Sequence, residues 1–245
     1  GAKLSLEGAG SVSWLYPSMA LEQGDTNHCG GFSMANFGIN EPTHTPQNNE
    51  DGHNFYYICK EIDEQPLNED GTSMRSVAKA LQQLKRVENY AFAYDLASIK
   101  WWLLNRGPLL VGTIWTTEML IPNSNNIVTI GGGIEGGHAY LINEWREDDY
   151  IGIQNSWGER WGINGKAYIS ALNFEKILKV GGEAVTAVEI ETIVVPVEPE
   201  PEPIPEPEPE PEPIPVEPEY PKKPDPIAEI IRMIIAFIMK LFGRK

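Results

Sequence analysis

The sequence predicts an α+β domain built in two halves with a cleft between them, followed by an extended spacer and a short amphipathic helix. Three observations carry this. Apolar residues recur at helical spacing over 74–87 and again over 97–105, between good helix formers. Apolar runs suited to strands come later in the chain, over 109–115, 139–144 and 150–154. After Val195 the composition turns abruptly to alternating proline and glutamate.

The chain can bury a substantial core, since 41% of its 245 residues are hydrophobic and seven are tryptophan. Its net charge of -16 is unevenly spread, because residues 198–219 alone contribute nine glutamates and no cation. The body over 1–195 holds 13 Lys+Arg against 24 Asp+Glu. With no basic stripe, nucleic acid is not an expected partner. Two cysteines, Cys29 and Cys59, rule out a scaffold built on disulfides. No charged start leads into an apolar stretch of signal-peptide type.

Residues 1–22 read as an extended arm carrying Trp14, Tyr16 and Pro17. A polar, glycine-flanked turn from Gln23 to Gly31 then runs into Phe32, Met34, Ala35 and Phe37, the apolar face of a short helix. Cys29 falls at its N-terminus, where free N–H groups and the helix dipole favour a thiolate. Residues 38–53 read as a loop, and 54–62 as a buried element in which Cys59 acts as a small hydrophobe. A second loop over 65–73 has Asp70-Gly71 at its tip. Helices over 74–87 and 97–105 precede strands over 109–115 and 127–130 and a hairpin that leads on to Lys166–Ile169.

The hairpin carries the chemistry. Pairing 139–144 with 150–154 around a turn near Arg146 and Glu147 sets His138 opposite Asn155. A lone histidine beside an apolar run is ordinarily a satisfied core residue. An amide that fixes its tautomer, together with a thiol such as Cys29, makes a nucleophilic constellation instead. His28 adjoins Cys29 but has no orienting partner in sequence and is expected in an exposed loop. Two cysteines and a histidine without paired-ligand spacing do not suggest zinc.

The order Gln23, Cys29, His138, Asn155, with Gly136-Gly137-His138-Ala139-Tyr140 and Asn155-Ser156-Trp157-Gly158 followed by Trp161-Gly162, resembles the papain-like cysteine peptidases over roughly residues 11–190. The resemblance implies a two-subdomain fold, a helical half and an antiparallel β half, with the cleft between them. It implies Cys29 as nucleophile, His138 as acid and base, Asn155 as the group orienting its ring, and Gln23 as an oxyanion donor beside the Cys29 N–H. Trp157 corresponds to the aromatic cover over the His–Asn contact, and Gly71, Gly137 and Trp157 to positions that meet substrate. The substrate would be a peptide or protein, cleaved with no metal or organic cofactor.

Departures from the family bear on specificity. Gly30 stands where tryptophan is usual, so a cavity or wider cleft is expected there, and Thr26 replaces a disulfide cysteine. His138 and Asn155 follow Cys29 by 109 and 126 residues, against about 130–150 in the family. The chain thus reads as a short variant, with the loss expected between Gly71 and His138. A papain-fold binding or adhesion module without turnover is the alternative reading.

The domain is expected over 1–195 and the Pro/Glu-rich linker over 196–226. As polyproline II, at about 3.1 Å per residue, that linker spans roughly 90 Å at most. Residues 227–245 place Glu229, Arg232, Ala236 and Lys240 on one narrow helical face, with Ile, Met, Phe and Leu around the rest. That pattern suits a membrane surface or helix–helix association. Display outside the cell or in its envelope follows as the expected location, with the cytoplasm as the alternative.

Overall fold

A computed structural model describes residues 10–189. The expected linker and C-terminal helix, over 196–226 and 227–245, lie outside the described residues. Among the described residues, no helix is long and apolar enough to cross a membrane.

The chain runs β1 (Val12–Ser13), α1 (Cys29–Ile39), α2 (Asn49–Asp63), α3 (Met74–Gln83), β2 (Val87–Ala93), α4 (Leu96–Asn105) and β3 (Leu109–Thr116). After a 3-10 turn over Thr117–Leu120 it continues through β4 (Ile134–Trp145), β5 (Tyr150–Gln154), β6 (Lys166–Ser170), α5 (Ala171–Leu178) and β7 (Glu183–Glu189). One antiparallel sheet takes the order β2-β7-β3-β4-β5-β6, and β1 pairs with β4. Helices and an antiparallel sheet thus share one domain, as the sequence predicts.

The two-residue period of the strands sorts side chains into two cores. Leu109, Val111, Tyr140 and Ile142 face one way, onto Ile99 and Leu103 of α4 and Phe174 and Ile177 of α5. Leu110, Ala139, Leu141 and Val185 face the other way, onto Met34 and Phe37 of α1 and Val77 and Leu81 of α3.

Several elements differ from the sequence expectation. The 38–53 loop ends early, because Asn48 caps α2 by accepting from the Glu50 and Asp51 N–H groups while Asp51 accepts from the Asn48 N–H. The helix expected over 74–87 stops at Gln83, and Val87 opens β2. Over 127–130 there is no strand, only a bridge between Ile127 and Tyr168. Two further elements went unpredicted. α5 is capped by Ser170, which accepts from the Asn173 N–H. β7 lies between β2 and β3, so Ala184, Val185, Thr186 and Ala187 are all buried and no polar alternation marks it.

The hairpin register also differs. Leu141 pairs with Gln154 and Ile142 with Ile153, a bulge intervenes, and Glu144 then pairs with Gly152. The turn uses Arg146 to Asp149, closed by the Arg146 N–H to the Tyr150 carbonyl at 2.8 Å. His138 is therefore not directly across the ladder from Asn155, whose N–H goes instead to the Gly165 carbonyl at 2.9 Å.

Candidate active site

Cys29 is the first residue of α1, and every residue after it in that helix is buried. The helix fits so deeply because Gly30 and Gly31 follow Cys29 in its first turn. A Cβ on Gly31 would lie 2.2 Å from the Gly52 carbonyl oxygen of α2, and one on Gly30 would lie 2.5 Å from Thr72 Cγ2. No cavity opens at Gly30, then, because Thr72 and Val77 fill the space. His28, the N-cap, makes no side-chain cap. The first-turn N–H groups of α1 therefore meet no side-chain oxygen from the cap.

His138 comes from β4 and is buried, 7% exposed. Its Nε2 lies 2.8 Å from Asn155 Oδ1 despite the offset register. The same Oδ1 accepts the Ser156 N–H at 2.8 Å, which identifies it as the amide oxygen. Nε2 must then donate, and in the neutral ring Nδ1 carries the lone pair. Trp157 packs on the imidazole with ring centroids 4.8 Å apart, and Trp115 approaches it edge-on at 4.8 Å.

Segment 21–23 runs beside 156–158, with the Gln23 N–H to the Ser156 carbonyl at 2.8 Å and the Gly158 N–H to the Leu21 carbonyl at 2.9 Å. Buried Gln23 accepts from Ser156 Oγ at 2.7 Å and donates through Nε2 to the Thr26 carbonyl. A second Nε2 hydrogen is left over. Thr26 Oγ1 returns a bond to the Gln23 carbonyl at 2.7 Å. Hydrogen bonds thus close the turn at the position where the family has a disulfide cysteine.

A cleft of about 690 Å³ brings Cys29, Gly71, Gly137 and His138 together. Its walls are the α1 N-terminus and residues 70–74 on one side and the middle of β3 with the first residues of β4 and β7 on the other. Trp157 is not among its lining residues. It lies behind the imidazole and faces a neighbouring hollow with Glu22, Asp25 and Leu120. The Gly71 carbonyl is turned inward, accepting from Lys60 Nζ at 3.1 Å and Tyr56 Oη at 3.2 Å. Asp63 holds the adjoining residues by accepting from the hydroxyls of Thr72, Ser73 and Ser76. Burial pushes the Asp63 carboxyl up, but these bonds outweigh it and hold it below the ordinary carboxylate range.

The electrostatics run against the sequence expectation. Burial pushes the Cys29 thiol up, outweighing the backbone N–H groups of Ala139, Gly30 and Cys29 itself, which favour the thiolate. Burial also takes His138 down to about 4, with the Asn155 bond acting weakly the other way. A helix N-terminus alone would lower the thiol, but in this site desolvation wins. Burial thus favours the neutral form of each group taken singly, the Cys29 thiol and the His138 imidazole.

Cys59 is fully buried, with its thiol 3.6 Å from the Met34 sulfur, and burial first, then Asp63, pushes its pKa up to about 12. His28 is not the exposed loop residue expected. It is half-buried, stacked on Tyr56 at 3.9 Å, with Nδ1 2.7 Å from His53 Nδ1. Among the described residues no cluster of three or more His, Cys, Asp or Glu could hold a metal ion. Sequence reasoning passed over Trp115 and Ser156. Ser156 stood within the recognised Asn-Ser-Trp-Gly motif, whereas Trp115 carried no local signal beyond its place at a strand end.

No family model matches the chain, and no curated protein matches it in sequence. Solved structures do match it in fold. Xylellain, a cysteine protease from Xylella fastidiosa, superposes with a TM-score of 0.59 at 17% identity, over 74% of this chain and 86% of that one. A cysteine protease of Carica candamarcensis superposes with a TM-score of 0.53 at 14% identity, over 73% of this chain and 98% of that one. The described domain therefore has the fold of the papain-like cysteine proteases.

Proposed function

We propose that the chain is a cysteine peptidase that hydrolyses peptide bonds through a Cys29 acyl-enzyme. The observation that carries this reading is the cleft shared by a helix-terminal thiol and a histidine whose tautomer is fixed by an amide oxygen. With Nε2–H committed to Asn155, Nδ1 of the neutral ring is the basic atom. It takes the Cys29 proton as the sulfur attacks the substrate carbonyl carbon. A thiolate and an imidazolium are each costly alone in this buried site, and forming them together as neighbours offsets part of that cost.

The carbonyl electrons move to oxygen, where the Cys29 N–H and the spare Gln23 N–H serve as donors. One such donor is worth about 2.7–4 kcal/mol in comparable sites. The tetrahedral intermediate collapses, the amine leaves with the proton held by His138, and a thioester remains. Water then gives His138 a proton as it attacks the thioester, and the acid is released as Cys29 recovers its hydrogen. None of these steps calls on a metal or organic cofactor.

A thiol-alkylating probe tests the reading. Cys29 should be labelled at least about tenfold faster than buried Cys59. The His138→Ala chain should lose most of that advantage. Equal labelling of the two cysteines, with no cleavage of a mixed peptide library, would sink the proposal.

A further inference from the structure

The cleft is lined by three carboxylates, Asp70, Glu135 and Glu183, and by no lysine or arginine. Asp70 and Glu135 are exposed on the rim, and Glu135 accepts from Thr117 Oγ1 at 2.6 Å. Glu183 is different. It is half-buried, and among the described residues its carboxylate joins no ion pair.

The sheet register gives Glu183 its place. It pairs with Gly112 across β7 and β3, and Gly112 pairs with Ala139 across β3 and β4. Residues paired on adjacent antiparallel strands project from one face, so the three form a row across the sheet. Two inter-strand steps make that row about 10 Å long. At one end Ala139 lines the cleft together with Cys29, and at the other stands the carboxylate.

The middle of the row is apolar. A Cβ on Gly112 would lie 2.6 Å from Met74 Cγ, so the Met74 side chain rests directly on the glycine. Met74 also lines the cleft. A trough that starts at the nucleophile, is floored by a thioether and ends in an unpaired carboxylate matches a long cationic side chain. The methylene stem of lysine or arginine packs on apolar surface while its charged head meets the acid.

Resting on the peptidase reading above, we infer that this trough selects substrates carrying lysine or arginine within two residues of the scissile bond. Met74 packs the stem and Glu183 pairs with the head. The rim carboxylates and the acidic body draw cationic peptides toward the cleft.

The test uses peptides that carry arginine, norleucine or glutamate at each of the two positions on either side of the cleaved bond. Norleucine keeps an unbranched apolar stem and removes the charge. At one position the wild-type chain should prefer arginine over norleucine in kcat/KM by about tenfold. Glu183→Gln should bring that ratio to within about twofold, and Glu183→Arg should invert it in favour of glutamate. The Cys29→Ala chain reads the trough without turnover, by its equilibrium affinity for the same peptides. An arginine preference in binding that Glu183→Gln removes supports the inference even if no peptide is cleaved, an outcome that would sink only the peptidase reading. Equal binding of arginine and norleucine peptides, or a preference that survives Glu183→Gln, would overturn it.

Discussion

At Asn155 one oxygen accepts both the imidazole N–H and the Ser156 N–H, and this double use makes the tautomer of His138 unambiguous. Asn155→Ala removes the anchor and frees the ring to turn. Because the amide acts on the base rather than on substrate, kcat should fall by about 10²-fold with little change in KM. Steady-state kinetics separate the two. His138 also links acidity to stability. Its pKa is lowered from 6.5 to about 4 in the fold, so between those values the unfolded chain binds more protons than the folded one. Stability therefore rises with pH across that window, by up to about 3 kcal/mol. The contribution is complete above pH 6.5 and is lost as pH falls toward 4. Denaturant titrations of wild type and His138→Gln at pH 4.5 and 7 should show the pH dependence shrink in the variant. Activity should fall through about pH 4, where the base becomes protonated.

Among the elements, α1 decides where the nucleophile sits, and a buried cluster of amides ties that helix to the hairpin. Asn40 Nδ2 donates to Gln154 Oε1 at 2.6 Å, Asn143 Nδ2 donates to the same oxygen at 2.8 Å, and Gln154 Nε2 donates to Asn36 Oδ1 at 3.1 Å. Gln154→Leu strands these donors and acceptors in a dry interior. A cost of about 2–4 kcal/mol follows from leaving buried polar groups unpaired, and thermal unfolding measures it. Gly31→Ala should also destabilise, since its Cβ meets backbone that cannot yield.

Much at this scale was legible in sequence. Gln23, Cys29, His138 and Asn155 form a spaced motif that needs no tertiary information to notice, and the helical period found α3 and α4. What escaped notice depended on neighbours. β7 is covered on both faces and so shows no alternation, and the hairpin register depended on a bulge that apolar patterning does not encode. A helix N-terminus beside Cys29 is visible in sequence, whereas the burial that pushes its thiol up is not.

For the whole molecule, the two cores on either face of the sheet support the walls of a cleft whose linings come from α1, the 70–74 segment and three strands. Each group assigned a part in the chemistry or in substrate selection lies between residues 23 and 183. Deleting residues 196–245 should accordingly leave kcat/KM for short peptides within about twofold of the full chain, a change no larger than that of a substitution remote from any site. A comparison of both chains on one fluorogenic peptide checks it. The claim beneath all of this is that Cys29 breaks peptide bonds. Hydrolysis of a mixed peptide library by the wild-type chain and by Cys29→Ala measures that directly. The wild type should cleave, with Cys29→Ala slower by at least about 10³-fold. Equal cleavage by both chains would contradict the account.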